Sequence, residues 1–232
     1  MPGLPWSYPL LAMSALGIGV WLSSRHQAAL GLTGRQRLAL GLGSFCGGML
    51  AAKLPFALAH PAGPWSLAAW TFPGKTILAG LAGGYLGVEA AKRLSGVTRK
   101  TGDSFAVPVA AAVGFGRLSC FAAGCCYGTP TSLPWGVDFG DGLRRHPTQL
   151  YEAGFHFAAA ALLSRLRIAG AFRFQLMKLY VMTYAVYRFA TEFIRPEPRL
   201  LLGLSAYQMA AAGLLVLFTG LWLRDAELYD AA

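Results

Sequence analysis

Long apolar stretches constrain the fold of this 232-residue chain more than any other feature. A helix that crosses the hydrocarbon core of a membrane needs roughly 20 mostly apolar residues, and seven such windows follow one another with little chain between them. Apolar residues make up 55% of the sequence and charged residues 13%, which excludes a disordered chain and fits a membrane protein better than a soluble domain. We therefore predict a single transmembrane domain over residues 1–232, an all-α bundle of seven helices. The predicted spans cover about residues 8–23, 38–59, 74–91, 105–127, 148–166, 174–194 and 203–223.

The basic residues predict an orientation for these spans. The net charge is +10, but the bases lie in short clusters between apolar windows, which indicates membrane topology rather than nucleic-acid binding. Residues 1–7 contain no Lys or Arg, so the first span lacks the basic start of a signal peptide and is predicted to be an uncleaved helix. The positive-inside rule then puts the N-terminus outside and the C-terminus in the cytoplasm. The bases assigned to the cytoplasmic side are Arg25, Arg35, Arg37, Lys92, Arg93, Arg99, Lys100, Arg165, Arg167, Arg173 and Arg224, against Arg144, Arg145, Arg195 and Arg199 outside.

Pairs of small residues four positions apart predict places where helices pack closely. Such spacing brings two small residues to the same face of a helix, so that the backbone of a neighbouring helix can approach. The pairs are Gly43/Gly47, Gly80/Gly84, Gly83/Gly87 and Gly124/Gly128.

Arg117 lies near the middle of the fourth predicted span, too far from either surface for its side chain to reach water easily. A charge at such a position costs about 2.5–3.5 kcal/mol on insertion scales, so something must compensate it. Arg117, Cys120, Gly124 and Gly128 recur at helical spacing and are predicted to share a face directed into the bundle. We favour a functional role for Arg117 over a structural ion pair.

Arg188, Glu192 and Arg195 stand at i, i+4 and i+7 in the sixth predicted span, and Tyr184 extends this stripe by one turn. The structural alternative is an Arg-Glu-Arg ladder that neutralises itself. One carboxylate neutralises only one guanidinium, so the ladder leaves the other without a partner. Buried guanidinium groups without carboxylates favour an anion, and a phosphate is the obvious anion in a membrane.

A third polar group marks the start of the fifth predicted span. Pro147 suits the first position of a helix, which makes His146 a candidate cap residue at the mouth of the bundle. A helix N-terminus attracts anions and so also favours a phosphate. Glu152, one to two turns further on, is within predicted reach of Arg117 or Arg188. For His146 a structural cap and a functional group remain equal alternatives. The sequence gives no comparable context to His26, His60 and His156, which we interpret as structural.

Three of the four cysteines, Cys120, Cys125 and Cys126, lie within seven positions, whereas Cys46 is predicted to be a small core residue. We favour a structural role or a disulfide for the three. A nucleophilic thiolate beside arginine residues is the second alternative. A metal site ranks last, because the spacing lacks a standard ligand pair and a fourth ligand such as His146 would have to come from tertiary folding. No metal is therefore predicted.

Four stretches of the sequence form motifs. They are Gly116-Arg117-Leu-Ser-Cys-Phe121-Ala-Ala-Gly124-Cys-Cys-Tyr127-Gly128, His146-Pro147-Thr-Gln149-Leu150-Tyr151-Glu152, Tyr187-Arg188-Phe189-Ala-Thr-Glu192-Phe193-Ile-Arg195 and Gly203-Leu-Ser205-Ala-Tyr-Gln208. Together they resemble the prolipoprotein diacylglyceryl transferase family of bacteria. The resemblance runs from about the first to the seventh span in the same order, and its second and third motifs are quite specific.

The resemblance implies a seven-helix enzyme of the bacterial inner membrane whose site faces the periplasm. Such an enzyme moves the diacylglyceryl group of phosphatidylglycerol to the thiol of a lipobox cysteine in a secreted precursor and releases glycerol phosphate. No cofactor and no nucleic-acid partner are implied. Arg117 and Arg188 match functional arginines of the family, and His146 joins them as the third candidate catalytic residue. The candidate substrate-binding residues are Arg145, Tyr151, Glu152, Glu192, Arg195, Gln208 and Tyr8, with Cys120, Cys125 and Cys126 as a candidate thiol site.

The chain departs from the family pattern at several positions. Leu78 stands where the third helix of the family carries a histidine important for activity, so His146, Glu152 or a cysteine would have to act as the base instead. The alternatives are therefore a divergent paralogue with another acceptor and a non-catalytic protein that binds anionic lipid. An anion transporter is disfavoured, since the charged spans lack counterparts in the first half of the chain. The other departures are Ser119, Cys120, Ala123 and Cys125.

Overall fold

The computed structural model describes residues 6–71 and 74–230, and this part of the chain is mostly helical. Each of the seven predicted windows coincides with one long helix. A short helix, α3, precedes the third of them, and a 3-10 segment at Glu192–Ile194 follows the sixth. The helices are α1 (Ser7–Ala28), α2 (Gly34–Ala59), α3 (Leu67–Thr71), α4 (Ile77–Leu94), α5 (Asp103–Ala122), α6 (Thr148–Ile168), α7 (Leu176–Thr191) and α8 (Ala206–Asp230).

Within the described residues, four helices are long and apolar enough to cross a membrane: α1, α2, α5 and α8. Large apolar side chains on the outer faces of α1 and α8 are exposed, including Met13, Val20 and Val216. Exposed apolar surface of this extent is typical of helices that contact lipid. The structure therefore confirms a mostly helical fold with helices able to cross a membrane.

Glycines allow α2 and α4 to pack with their backbones in contact. The small-residue pairs Gly43/Gly47 and Gly83/Gly87 predicted such close packing. A Cβ atom added to Gly43 would lie 2.5 Å from the carbonyl oxygen of Gly87 and 2.8 Å from Cβ of Ala91. Gly47 meets the backbone of Gly83 in the same way. Larger residues would force the helices apart, because packed interiors leave no space for an extra methyl group.

Helix α5 ends at Ala122 rather than near residue 127, which corrects two predictions. Gly124 and Cys126 both have a φ of 62°, a left-handed conformation that turns the chain out of the helix. Gly124 and Gly128 consequently do not share a helical face with Arg117 and do not form a small-residue pair on a helix.

Helix α6 begins at Thr148 with Pro147 at the N-cap, one position earlier than predicted for the proline. His146 therefore precedes the cap and is not the cap residue. Its backbone instead pairs with the preceding loop: its carbonyl accepts a hydrogen bond from the N–H of Gly128 at 2.8 Å, and its N–H donates to the carbonyl of Thr129 at 3.1 Å.

Two short antiparallel hairpins cover the end of the bundle where α5 ends and α6 begins. Strands β1 (Val137–Asp138) and β2 (Arg144–Arg145) lie between these helices, and β3 (Arg199–Leu201) and β4 (Leu204–Ser205) lie between α7 and α8. The N–H of Thr129 donates to the carbonyl of Ile194 at 2.9 Å and joins the two connections. This hydrogen bond holds the two connections together, so that the three polar motifs of the sequence lie at one end of the bundle.

Candidate functional site

Glu152 is the centre of a buried charged group. Its Oε2 atom accepts a hydrogen bond from Nη2 of Arg117 and another, at 2.9 Å, from Nη2 of Arg195. The Tyr184 hydroxyl donates to Oε1 at 2.6 Å. Helices α5, α6 and α7 thus converge on one carboxylate. Of the two partners predicted for Glu152, the structure shows Arg117 and not Arg188.

Arg188 and Glu192 form a second ion pair at the end of α7. Nη1 of Arg188 lies 2.8 Å from Oε2 of Glu192, but the N–H does not point at the oxygen, so the pair lacks a well-aligned hydrogen bond. The other Glu192 oxygen accepts from the Ser205 hydroxyl at 2.8 Å. Arg188 also lies over the ring of Tyr207, with its guanidinium carbon 4.8 Å from the ring centroid. We call Arg117, Glu152, Arg188, Glu192 and Arg195 the arginine cluster.

The predicted ladder along one helix face is only half present. Helix α7 ends at Thr191, a 3-10 turn follows, and Arg195 has an extended backbone with φ −109° and ψ 146°. This change of direction turns Arg195 away from Glu192 and toward Glu152 of another helix. The tertiary arrangement therefore replaces a local Arg-Glu-Arg ladder with two separate ion pairs.

Three buried guanidinium groups face only two carboxylates in the arginine cluster, and their donors are not all used. Nε of Arg117, Nη1 of Arg188 and Nε of Arg195 are buried and have no hydrogen-bond partner in the described part of the chain. A buried donor without an acceptor costs about 1–3 kcal/mol, more when it is charged. An anion with several oxygens would satisfy such donors and the excess positive charge together.

Gln208 supports the arginine cluster from α8. Its side-chain oxygen accepts from Nη1 of Arg199 at 2.7 Å and from the N–H of Ser205 at 3.0 Å, and its side-chain nitrogen donates to the Phe189 carbonyl at 3.3 Å. Both the oxygen and the nitrogen of the Gln208 side chain are therefore hydrogen-bonded within the protein. Arg199, which the sequence analysis did not single out, also donates to the carbonyl of Glu192 at 3.1 Å.

The remaining predicted residues of the outer loop form a separate group. Nδ1 of His146 lies 3.4 Å from the Tyr151 hydroxyl, which accepts a hydrogen bond from the indole N–H of Trp135 at 2.8 Å. Nε of Arg145 donates to Asp141 at 2.6 Å. This exposed pairing holds the pKa of the Asp141 carboxyl below its ordinary value. Among the described contacts, none joins this group directly to the guanidinium groups of the arginine cluster.

The three clustered cysteines lie beside the arginine cluster as free thiols. Their sulfur atoms all lie within 4.8 Å of one another, and Nη1 of Arg117 is 3.8 Å from the sulfur of Cys120. The three residues of the predicted thiol site are therefore brought together. Tyr8 lies in the first turn of α1, which packs against α5.

His156, which the sequence analysis interpreted as structural, lies beside the arginine cluster. It is fully buried, its Nδ1 lies 2.9 Å from the Tyr180 hydroxyl, and its Nε2 lies 4.0 Å from Oε1 of Glu152. The signal in the sequence was its i+4 spacing from Glu152, which puts both on one helix face. Leu78, at the position of the missing histidine, is buried in the apolar core.

An apolar cavity of about 390 Å³ lies between α1, α2, α4 and α5. Its walls include Leu16, Phe45, Leu81 and Val109, and it extends to Val113, one helical turn before Arg117. The cavity therefore approaches the arginine cluster from within the apolar part of the bundle.

Three relatives match between 39% and 93% of this chain, and all bear the name phosphatidylglycerol--prolipoprotein diacylglyceryl transferase. One from Clostridium tetani is 43% identical over 97 residues, which cover 39% of this chain and 39% of the relative. One from Solidesulfovibrio magneticus is 38% identical over 162 residues, covering 61% of this chain and 58% of the relative.

A third relative, from Nitratidesulfovibrio vulgaris, is 31% identical over 238 aligned positions, covering 93% of this chain and 88% of the relative. The model of the prolipoprotein diacylglyceryl transferase family matches residues 5–224. The resemblance found in the sequence motifs is thereby confirmed, and this chain belongs to the prolipoprotein diacylglyceryl transferase family.

Proposed function

We propose that this protein transfers the diacylglyceryl group of phosphatidylglycerol to the cysteine thiol of a lipoprotein precursor. Its family and the names of its relatives agree with this activity. One structural observation carries the proposal: buried N–H groups of Arg117, Arg188 and Arg195 have no hydrogen-bond partner among the described residues, although Nη1 of Arg188 is ion-paired with Glu192. A phosphodiester supplies the oxygens that these donors need, and it is the reacting group of the donor lipid.

Seven helices cross the bacterial inner membrane in this proposal: α1, α2 and α4 to α8, forming one domain. The N-terminus lies outside, the C-terminus lies in the cytoplasm, and the arginine cluster faces the periplasm. The alternation of basic residues between successive loops supports this orientation. The exposed apolar faces of the helices support contact with lipid.

The donor lipid has room at the cluster. In the proposed complex its phosphate binds Arg117, Arg188 and Arg195, and its acyl chains extend into the apolar cavity that ends one turn from Arg117. The lining of this cavity is mostly apolar, which suits hydrocarbon chains, although it also includes Lys75 and Glu89. Tyr8, Arg145, Tyr151, Glu192 and Gln208 complete the proposed binding site.

In the proposed reaction the acceptor sulfur attacks the glyceryl carbon while the bond from that carbon to the phosphate oxygen breaks. The products are a thioether and glycerol phosphate. Negative charge concentrates on the leaving phosphate, where the three guanidinium groups stabilise it. Glu152 holds Arg117 and Arg195 in place, because both donate to its Oε2 atom. His146 is the proposed acceptor of the thiol proton, since it lies at the start of α6 beside the Tyr151 hydroxyl.

A second candidate uses the same lipid donor with a different acceptor. Leu78 favours it, because the base that the family resemblance implies at this position is absent and the leucine is buried in the core. A non-catalytic protein that binds anionic lipid is the third candidate.

The test is mass spectrometry of a lipobox peptide incubated with the purified protein and phosphatidylglycerol. We expect the mass of one diacylglyceryl group to be added by the wild type and by Arg93→Ala, which removes an exposed guanidinium at the end of α4. Arg188→Ala should abolish the gain. Transfer by Arg188→Ala at the wild-type rate contradicts the phosphate site. Absence of transfer by the wild type, with tightly bound anionic phospholipid, favours the other two candidates.

A further inference from the structure

The chain reverses direction after α5, which brings the sulfur atoms of three cysteines close together. Cys120 lies in the last turn of the helix, and the left-handed residues Gly124 and Cys126 reverse the chain behind it. The sulfur of Cys126 lies 3.8 Å from that of Cys125. All three sulfur atoms lie within 4.8 Å of one another, so a single bound ion can contact each of them after a small adjustment of side-chain rotamers.

Helix α6 holds this arrangement from outside the cysteine segment. The side-chain nitrogen of Gln149 donates to the carbonyl of Cys125 at 2.5 Å, and the Thr148 hydroxyl donates to the carbonyl of Cys126 at 2.8 Å. Gln149 is fully buried. The backbone that carries the thiols is therefore fixed before any ligand arrives, which lowers the entropic cost of binding.

We propose that Cys120, Cys125 and Cys126 form a three-thiolate binding site for a soft monovalent metal ion, Cu(I). Thiolates are the ligands that Cu(I) prefers, and a structural zinc ion usually takes four ligands in a tetrahedron. Within the described residues the cluster contains three candidate ligands and no fourth from His, Cys, Asp or Glu. Cys126 is exposed and the other two are half-buried, so an ion can enter from water.

The positive charges around the three cysteines favour the anionic site that forms when Cu(I) binds. Binding converts three thiols into thiolates and releases three protons to solvent, so that the site with one Cu(I) ion carries a charge of −2. Arg117 lies beside it, with Nη1 3.8 Å from the sulfur of Cys120. The guanidinium groups of the arginine cluster, which outnumber its carboxylates, offset the charge of the bound site.

The experiment titrates the reduced full-length protein in detergent with the acetonitrile complex of Cu(I), in competition with a chromophoric Cu(I) chelator and without oxygen. We expect one equivalent to bind to the wild type and to Cys46→Ser, which removes the cysteine of α2. The triple variant Cys120→Ser/Cys125→Ser/Cys126→Ser should bind at least roughly 100-fold more weakly, because all proposed ligands are lost. X-ray absorption of the loaded wild type should show three sulfur neighbours.

A second variant tests the site even if the triple variant fails to fold. Cys126→Ser changes a single exposed side chain, and we expect the loaded variant to show two sulfur neighbours with its elution from size-exclusion chromatography unchanged. Equal Cu(I) affinity in the triple variant and the wild type overturns the site. Nitrogen or oxygen neighbours in the loaded wild type overturn the three-sulfur assignment. A zinc titration that yields a four-ligand site with these cysteines replaces Cu(I) with zinc and likewise overturns the proposal.

Discussion

Two buried charged groups lie toward opposite ends of α7, and they differ in how completely their donors are used. Near the start of α7, Nζ of Lys178 donates to the side-chain oxygen of Gln175 at 2.6 Å and to Asp225 at 2.5 Å. Lys100 joins the same carboxylate at 2.8 Å. We call these four residues the Lys178 cluster. Nζ of Lys178 thus has two hydrogen-bond acceptors, whereas Nε of Arg117 and Nε of Arg195 in the arginine cluster have none among the described residues.

Under the proposed function, the difference separates a structural charge from a ligand-binding one. Both groups bury cations among apolar helices, so burial alone does not separate them. Lys178 of α7 donates to Asp225 of α8 and so links the two helices. Buried donors without acceptors cost free energy, and a bound anion would remove that cost.

The largest expected effect comes from removing the centre of the arginine cluster. Glu152→Ala leaves Arg117 and Arg195 buried without their shared carboxylate, which costs about 3–5 kcal/mol of stability. Thermal unfolding in detergent measures the loss, and transfer activity should disappear with it. Glu152→Gln keeps an acceptor oxygen and should lose less. A wild-type melting temperature for Glu152→Ala would show that the carboxylate does not organise the cluster.

Removing an arginine with an unused donor should affect transfer much more than folding. For Arg188→Met we expect transfer to fall roughly 100- to 1,000-fold, the usual effect of losing one donor to a developing oxyanion. The melting temperature should fall less than in Glu152→Ala, because only Glu192 loses an ion-pair partner and the Ser205 hydroxyl still donates to it. The measurement pairs the peptide assay with thermal unfolding. A large loss of stability with normal transfer would show that Arg188, like Lys178, has a structural role.

The matched change in the Lys178 cluster should give the reverse result. Lys178→Met removes the hydrogen bonds to Gln175 and Asp225 but leaves Asp225 paired with Lys100, so we expect a loss of about 1–3 kcal/mol. Transfer per folded molecule should remain within a few-fold of the wild type. A selective loss of transfer in this variant would contradict the structural role of the Lys178 cluster.

The smallest effect is expected at the exposed pair of the outer loop. Because the hydrogen bond from Arg145 lowers the pKa of Asp141 in the folded protein, this pair stabilises the loop above the ordinary carboxyl pKa. The contribution is lost as the pH falls through the lower, folded value. Hydrogen exchange of residues 137–145 should show more protection in the wild type than in Asp141→Asn at neutral pH. The two should become equal at a pH low enough to protonate Asp141 in the folded protein. A difference that persists in acid would exclude the carboxylate as its cause.

The sequence predicted the helices well because their cause is local. Each window contains enough apolar residues for one long helix, and the glycines of α2 and α4 lie at the spacing that close packing requires. The end of α5 was misplaced for the same reason. Apolar residues continue to residue 127, whereas Gly124 and Cys126 adopt left-handed conformations that hydropathy does not reveal.

The sequence also identified the charged residues of the site, but it assigned only some of their partners. Spacing along α7 predicted that Arg188, Glu192 and Arg195 act together, and the structure keeps only the first pair. For His156 the spacing from Glu152 on the same helix was visible in the sequence, whereas its hydrogen-bond partner Tyr180 lies on another helix, α7.

By itself, therefore, the sequence determined an all-α bundle, the family to which it belongs, and the presence of charges that a membrane protein must compensate. The tertiary structure alone decided that Arg195 turns to Glu152, that three cysteine sulfurs meet, and which N–H groups are left without partners. The physical reason is the separation along the chain over which each interaction acts. Hydrophobicity and helical spacing act between neighbours in the chain, whereas the pairing of buried charges depends on how α5, α6 and α7 pack against one another.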